Sequence, residues 1–113
     1  MATEDMEVEM ATNESKIVVL QSTDDGTAAS FQLHQEDHTL GNALRYIIMK
    51  NPDVEFCGYS IPHPSEPKLN IRIQTWGETK ASDALLQGLD GLVEMCDVIE
   101  ETFRGVLSGK MHE

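Results

Sequence analysis

The sequence is short of the features that would mark several functional classes. It has two cysteines, Cys57 and Cys96, and no metal-type pair such as C-x-x-C. A disulfide-stapled secreted domain is therefore not expected. Eight Lys and Arg stand against 20 Asp and Glu, a formal net charge of -12. Those bases are scattered from Lys16 to Lys110 and form no patch that could track nucleic-acid phosphates. No apolar run approaches a membrane span, and the opening MATEDMEVEM is acidic, without a basic n-region or apolar h-region. We expect no signal peptide, no anchor, no membrane partner, and a reducing compartment, cytosol or nucleus. G-x-S-x-G, Walker A and G-x-G-x-x-G motifs are also missing, as are internal repeats.

What is present fits one domain with a modest core, in a chain of 113 residues. Residues 1–15 hold five acids and little hydrophobic pattern, and read as a flexible acidic tail. The folded domain is expected over 16–110. KIVVLQS and TAASFQLH are strand-like runs joined by the turn TDDG. A first helix follows, capped by Asp37 or Thr39 and ended by Asn51-Pro52. VEFCGYSI is a third strand, and PHPSEP a stiff loop. KLNIRIQT alternates Leu69, Ile71 and Ile73 with Asn70, Arg72 and Gln74, the period of a sheet with one face covered. A long second helix comes last, with Ser82 as its expected N-cap.

That second helix carries Leu85, Leu89, Leu92, Cys96, Ile99, Phe103 and Val106, spaced alternately four and three apart. This is an unbroken apolar seam. Leu86, Val93 and Leu107 widen it on one flank and Met95 on the other, while Asp90, Glu94, Asp97 and Glu101 lie opposite. From Asp83 to Leu107 it would run about 37 Å, at roughly 1.5 Å per residue. Its stripe covers roughly half of the cylinder, wider than the usual ~100°. One small sheet is too little to cover it, so part is expected to be core and part an interface with another chain.

The first helix adds to this. Leu40, Ala43, Leu44, Ile47 and Ile48 share one stripe, yet Asn42, Tyr46 and Met49 lie on the other side, with Arg45 and Lys50 its only charges. Gly41 weakens a helix by up to about 1 kcal/mol. Close approach by another element would account for it.

Candidate chemistry is thin. His34, His38, Cys57 and His63 could be read as metal ligands, but a strand end and a helix start do not share i, i+4 geometry. Glu36-Asp37 beside His38 could form an acid–base pair, though carboxylates before a helix more often complement its dipole. Cys57 in an apolar strand reads as an unreactive buried thiol. Arg45 and Arg72 could hold an anion, surface ion pairing being the commoner arrangement. Nothing assembles a catalytic site, and neither metal nor cofactor is expected.

EDHTLGNALRYIIMKNP, then VEFCGYSIPHPSEPKLNIRIQT, then the seamed helix resemble the small alpha-like subunit of multi-subunit RNA polymerases. HTLGNALR is similar to the first helix of the bacterial alpha subunit's N-terminal domain and of the archaeal subunit L. KNPDVEFCGY and HPSEPKLNIRIQT most resemble the form shared by eukaryotic RNA polymerases I and III, on Asn51, Glu55, Cys57 and Ser65; the RNA polymerase II and archaeal forms are the alternatives. The resemblance is strong over Phe31 to about Thr75.

It implies an α+β two-layer sandwich: an antiparallel sheet of about four strands, with two helices on one face and the C-terminal helix long. It implies a non-catalytic subunit, nuclear and nucleolar, that heterodimerises through its helices with a larger alpha-like subunit. The pair would be the platform for the second-largest and largest catalytic subunits, without direct nucleic-acid contact. The expected interface is His38, Thr39, Leu40, Gly41, Asn42, Leu44, Arg45, Tyr46, Ile48 and Met49, with Leu85, Leu89, Leu92, Cys96, Ile99, Phe103 and Val106. Two readings unrelated to transcription compete: a small enzyme using His38, Glu36 and Cys57, and a homodimeric helical adaptor.

Overall fold

The computed structural model describes residues 16–109; the expected tail over 1–15 lies outside them. Four strands, β1 (Ile17–Ser22), β2 (Ala28–His34), β3 (Val54–Ser60) and β4 (Lys68–Thr75), form one antiparallel sheet in the order β1-β2-β4-β3. Two helices, α1 (His38–Met49) and α2 (Ala81–Leu107), pack on one face. This is the α+β two-layer arrangement that the sequence implies.

Side-chain alternation fixes the register. Phe31 stands opposite Ile71, Leu33 opposite Leu69, and Ala29 opposite Ile73. All six point to the helices and are buried. On the other side of β4, Cys57 pairs with Ile73 and Tyr59 with Ile71. Leu44 and Ile48 of α1 and Ala81, Ala84 and Leu85 of α2 complete the core. β1 lies at the sheet edge, and Ile17, Val18, Val19 and Leu20 are all exposed.

The β1–β2 hairpin turns at Gly26, whose φ of 78° suits glycine. Asp25 holds the turn. Its carboxylate accepts from the Thr27 backbone N–H at 3.1 Å and from the Thr23 and Thr27 hydroxyls at 2.9 Å each. Those donors, the Thr27 amide first, hold its pKa below the ordinary carboxylate value. Asp37 is the N-cap of α1, accepting from the Thr39 N–H at 2.9 Å.

The start of α2 corrects one expectation. The helix begins before Ser82, at Ala81, with Lys80 as N-cap and no side-chain capping bond. The reason is tertiary: the Ala81 N–H donates to the Gly26 carbonyl at 2.8 Å, so the hairpin supplies the acceptor. Buried Ala81 and Ala84 allow the close seating.

Candidate dimerisation interface

α2 has 27 residues, about 40 Å of helix. Its first turns are core: Ala81, Ala84, Leu85 and Gly88 are buried, and Leu89 and Leu92 are partly buried against the same cluster. Beyond Leu92 the helix leaves the domain. From Val93 to Leu107 every residue except Gly105 is exposed. The seam continues unchanged through this half, so Cys96, Ile99, Phe103 and Val106 project into solvent, Phe103 at 60%. A soluble chain seldom leaves a contiguous apolar stripe of this kind uncovered.

The outer face of α1 extends the same surface. Tyr46 is 58% exposed, and Met49 is exposed beside it. Lys50 places its Nζ 4.6 Å from the centre of the Tyr46 ring. His38, Thr39, Asn42, Ala43 and Tyr46 of α1 line a concavity of about 480 Å³ with Met95 of α2. Met95 thus joins the two apolar surfaces into one. Arg45 is exposed on α1, and Leu40 packs partly against the core.

Four residues expected at the interface belong to the core instead. Leu44, Ile48 and Leu85 are buried within this chain, facing the sheet. Gly41 is also buried, and a Cβ there would stand 2.7 Å from Tyr59 Cδ2 and 2.8 Å from Leu69 Cδ1. The close approach that Gly41 permits is therefore to its own sheet. Helix–helix approach falls at Gly88, where a Cβ would meet Ile48 Cγ1 at 2.5 Å, and at Gly91, facing Ile47.

Met95 was legible as a flank of the seam, but its place beside α1 needs the crossing geometry. Val98, 61% exposed on the acidic side of α2, carried no sequence signal.

The alternative chemistry does not converge. Glu36 pairs with Lys16 at 2.8 Å, Asp37 caps α1, and His38 Nδ1 shares a hydrogen bond of 3.0 Å with the Tyr59 hydroxyl. His34 Nε2 is 2.9 Å from Gln32 Oε1. Among the described residues, no group of three or more His, Cys, Asp or Glu could hold a metal ion. No helix among them is long and apolar enough to cross a membrane. Cys57 is buried, and desolvation pushes its thiol up to about 11 although Arg45 opposes the shift. Cys96 is exposed. Ion pairing is not what Arg45 and Arg72 do: the two ion pairs among the described residues are Lys16–Glu36 and Arg104–Glu100.

Comparison with known proteins places this geometry. The family model described as the RNA polymerase Rpb3/Rpb11 dimerisation domain matches residues 28–102. The chain is 68% identical over 88 residues to DNA-directed RNA polymerases I and III subunit RPAC2 of Saccharomyces cerevisiae, an overlap of 78% of this chain and 62% of that protein. It is 55% identical over 102 residues to the RPAC2 subunit of Schizosaccharomyces pombe, covering 89% and 82% respectively. The fold also matches the crystal structure of DNA-directed RNA polymerase subunit L from Thermoplasma acidophilum. That match has a TM-score of 0.72 at 18% identity, over 86% of this chain and 93% of that one.

Proposed function

This chain belongs to the RNA polymerase Rpb3/Rpb11 dimerisation-domain family, and from that membership we propose that it is a non-catalytic assembly subunit of RNA polymerases I and III. It pairs with a larger alpha-like subunit, and the pair is the platform on which the second-largest and largest subunits assemble. The nucleus, including the nucleolus, is its compartment. Support for the polymerase class comes from the names of relatives up to 68% identical. A net charge of -12 with scattered bases supports a role without direct nucleic-acid contact.

The pairing surface is the outer face of α1 together with the projecting half of α2. The observation that carries this reading is the continuation of one apolar seam from buried Leu85 to exposed Phe103 and Val106. Within that surface, His38, Thr39, Asn42, Arg45, Tyr46 and Met49 would contact the partner from α1. Cys96, Ile99, Phe103 and Val106 would do so from α2. Leu40, Leu89 and Leu92 would form the floor between core and interface.

Affinity purification of the tagged full chain from nuclear extract tests the function. The larger alpha-like subunit and the large subunits of both polymerases should co-purify, the alpha-like pair at 1:1. Recovery of the chain alone, or with RNA polymerase II subunits only, would overturn the proposal.

A further inference from the structure

The sheet face turned away from the helices has a character unlike the rest of the chain. Of 20 acids, Glu55 is the one in the four strands, and it stands at the bulge of β3. The strand positions on this face carry amides, small residues and bases, together with Val18 opposite Gln32 and Phe56 opposite Gln74. Gln21, Ser30, Arg72 and Gly58 form one cross-strand row. Arg72 stands between Ser30 and Gly58, and the Phe56 ring lies over Gly58, where a Cβ would stand 2.8 Å from Phe56 Cζ. The row is the floor of a concavity of about 550 Å³. Phe56 and Leu20 stand at its borders, 46% and 48% exposed.

Arg72 is held but not neutralised. Its Nε donates to Gln74 Oε1 at 3.1 Å and its Nη1 to Ser30 Oγ at 3.2 Å. A guanidinium has five N–H donors in a fixed fork, so three remain for a ligand. Among the described residues no carboxylate pairs with it. Lys68 lies on the same face of β4, four residues away, about 13 Å at 3.3 Å per residue.

We infer that this face is a docking groove for an extended acidic segment of a partner protein, with a carboxylate of that segment on Arg72 and a neighbouring apolar side chain on Phe56. Charge complementarity selects the occupant. This face, whose concavity is lined by no acid, places a positioned guanidinium between two exposed apolar side chains. Arg recognises a carboxylate through two parallel N–H bonds. A single nucleic-acid strand is a poorer fit. It needs several phosphate contacts and successive stacking rings, and the groove offers one guanidinium and one ring. The groove lies across the sheet from both helices, so it stays open when they are covered, and it does not depend on the proposed function.

Fluorescence anisotropy tests this with the full chain in the complex it forms on purification. The probe is a fluorescein-labelled Glu-Leu-Glu-Leu-Glu peptide. It should bind saturably, and Gln-Leu-Gln-Leu-Gln should bind at least tenfold more weakly. Arg72→Gln, whose amide can still bond Ser30, should cost at least tenfold, and Phe56→Ala should also weaken binding. Lys80→Gln, at the start of α2, should change nothing. Absence of saturable binding, equal binding of the two peptides, no effect of Arg72→Gln in a chain of unchanged melting temperature, or tighter binding of oligouridine would each overturn the inference.

Discussion

Ile48 of α1 lies against Gly88 of α2 so closely that a Cβ on the glycine would stand 2.5 Å from Ile48 Cγ1. Ile48 is buried, and Cγ1 is near the root of its side chain, so it cannot swing aside. Helix propensity alone favours Gly88→Ala by about 1 kcal/mol. Overpacking costs about 1–3 kcal/mol and should win. Gly88→Ala is expected to lower the thermal midpoint, and Gly88→Leu to lower it further; a raised midpoint for alanine would show that the helices separate cheaply.

Gly41→Ala should behave in the same way, for a different contact. The added methyl meets the Tyr59 ring and Leu69 of the chain's own sheet. We expect a loss of roughly 1–3 kcal/mol in the domain's own stability. Partner affinity should fall only as far as the fold is lost. Circular dichroism melts run beside partner titrations separate the two effects.

Phe103 and Leu85 occupy one seam but should respond oppositely. Leu85 is 6% exposed, so Leu85→Ala should cost about 2–5 kcal/mol of fold stability. Phe103 is largely exposed in the chain alone, so Phe103→Ala should leave that stability within about 0.5 kcal/mol. In the complex the same change should cost about 2 kcal/mol or more, as buried aromatic anchors do. Denaturant melts and a binding isotherm on both variants check the contrast.

The two thiols should be distinguishable by labelling and by pH. Exposed Cys96 should react with a thiol reagent in the native chain, and buried Cys57 only after unfolding. Burial raises the Cys57 thiol from 9.0 to about 11. The neutral form is thus favoured when folded, and below pH 9 both states keep the proton. Between about 9 and 11 the unfolded chain loses it first, so stability falls as pH rises through that window. Cys57→Ala should flatten that part of the stability–pH curve.

Much of this fold was legible because periodicity is a local property. KLNIRIQT alternates without a break, and β4 spans those residues, Lys68–Thr75. The sequence offered Thr39 or Asp37 as the cap of α1, and the structure has Asp37. What the sequence hid depends on long-range placement. The Gly26 carbonyl replaces a Ser82 cap from more than fifty residues away. Gly41 and Gly88 look alike in sequence, yet one faces a sheet and the other a helix. The seam of α2 has one pattern throughout, and only the position of the sheet decides that Leu85 is core while Phe103 projects. Arg72 gave no hint of an acid-poor face, since that depends on which residues of four strands point the same way.

The central claim is that the projecting half of α2 and the outer face of α1 are where the larger alpha-like subunit binds. An Ile99→Asp/Phe103→Asp double variant tests it most directly, because both side chains are exposed and charge there should spare the fold. The measurement is the native mass of the complex formed on co-expression with the larger subunit. Wild type should give a 1:1 heterodimer, and the variant should give separated subunits while its own thermal unfolding stays unchanged. A heterodimer formed by the variant at wild-type affinity would contradict the account.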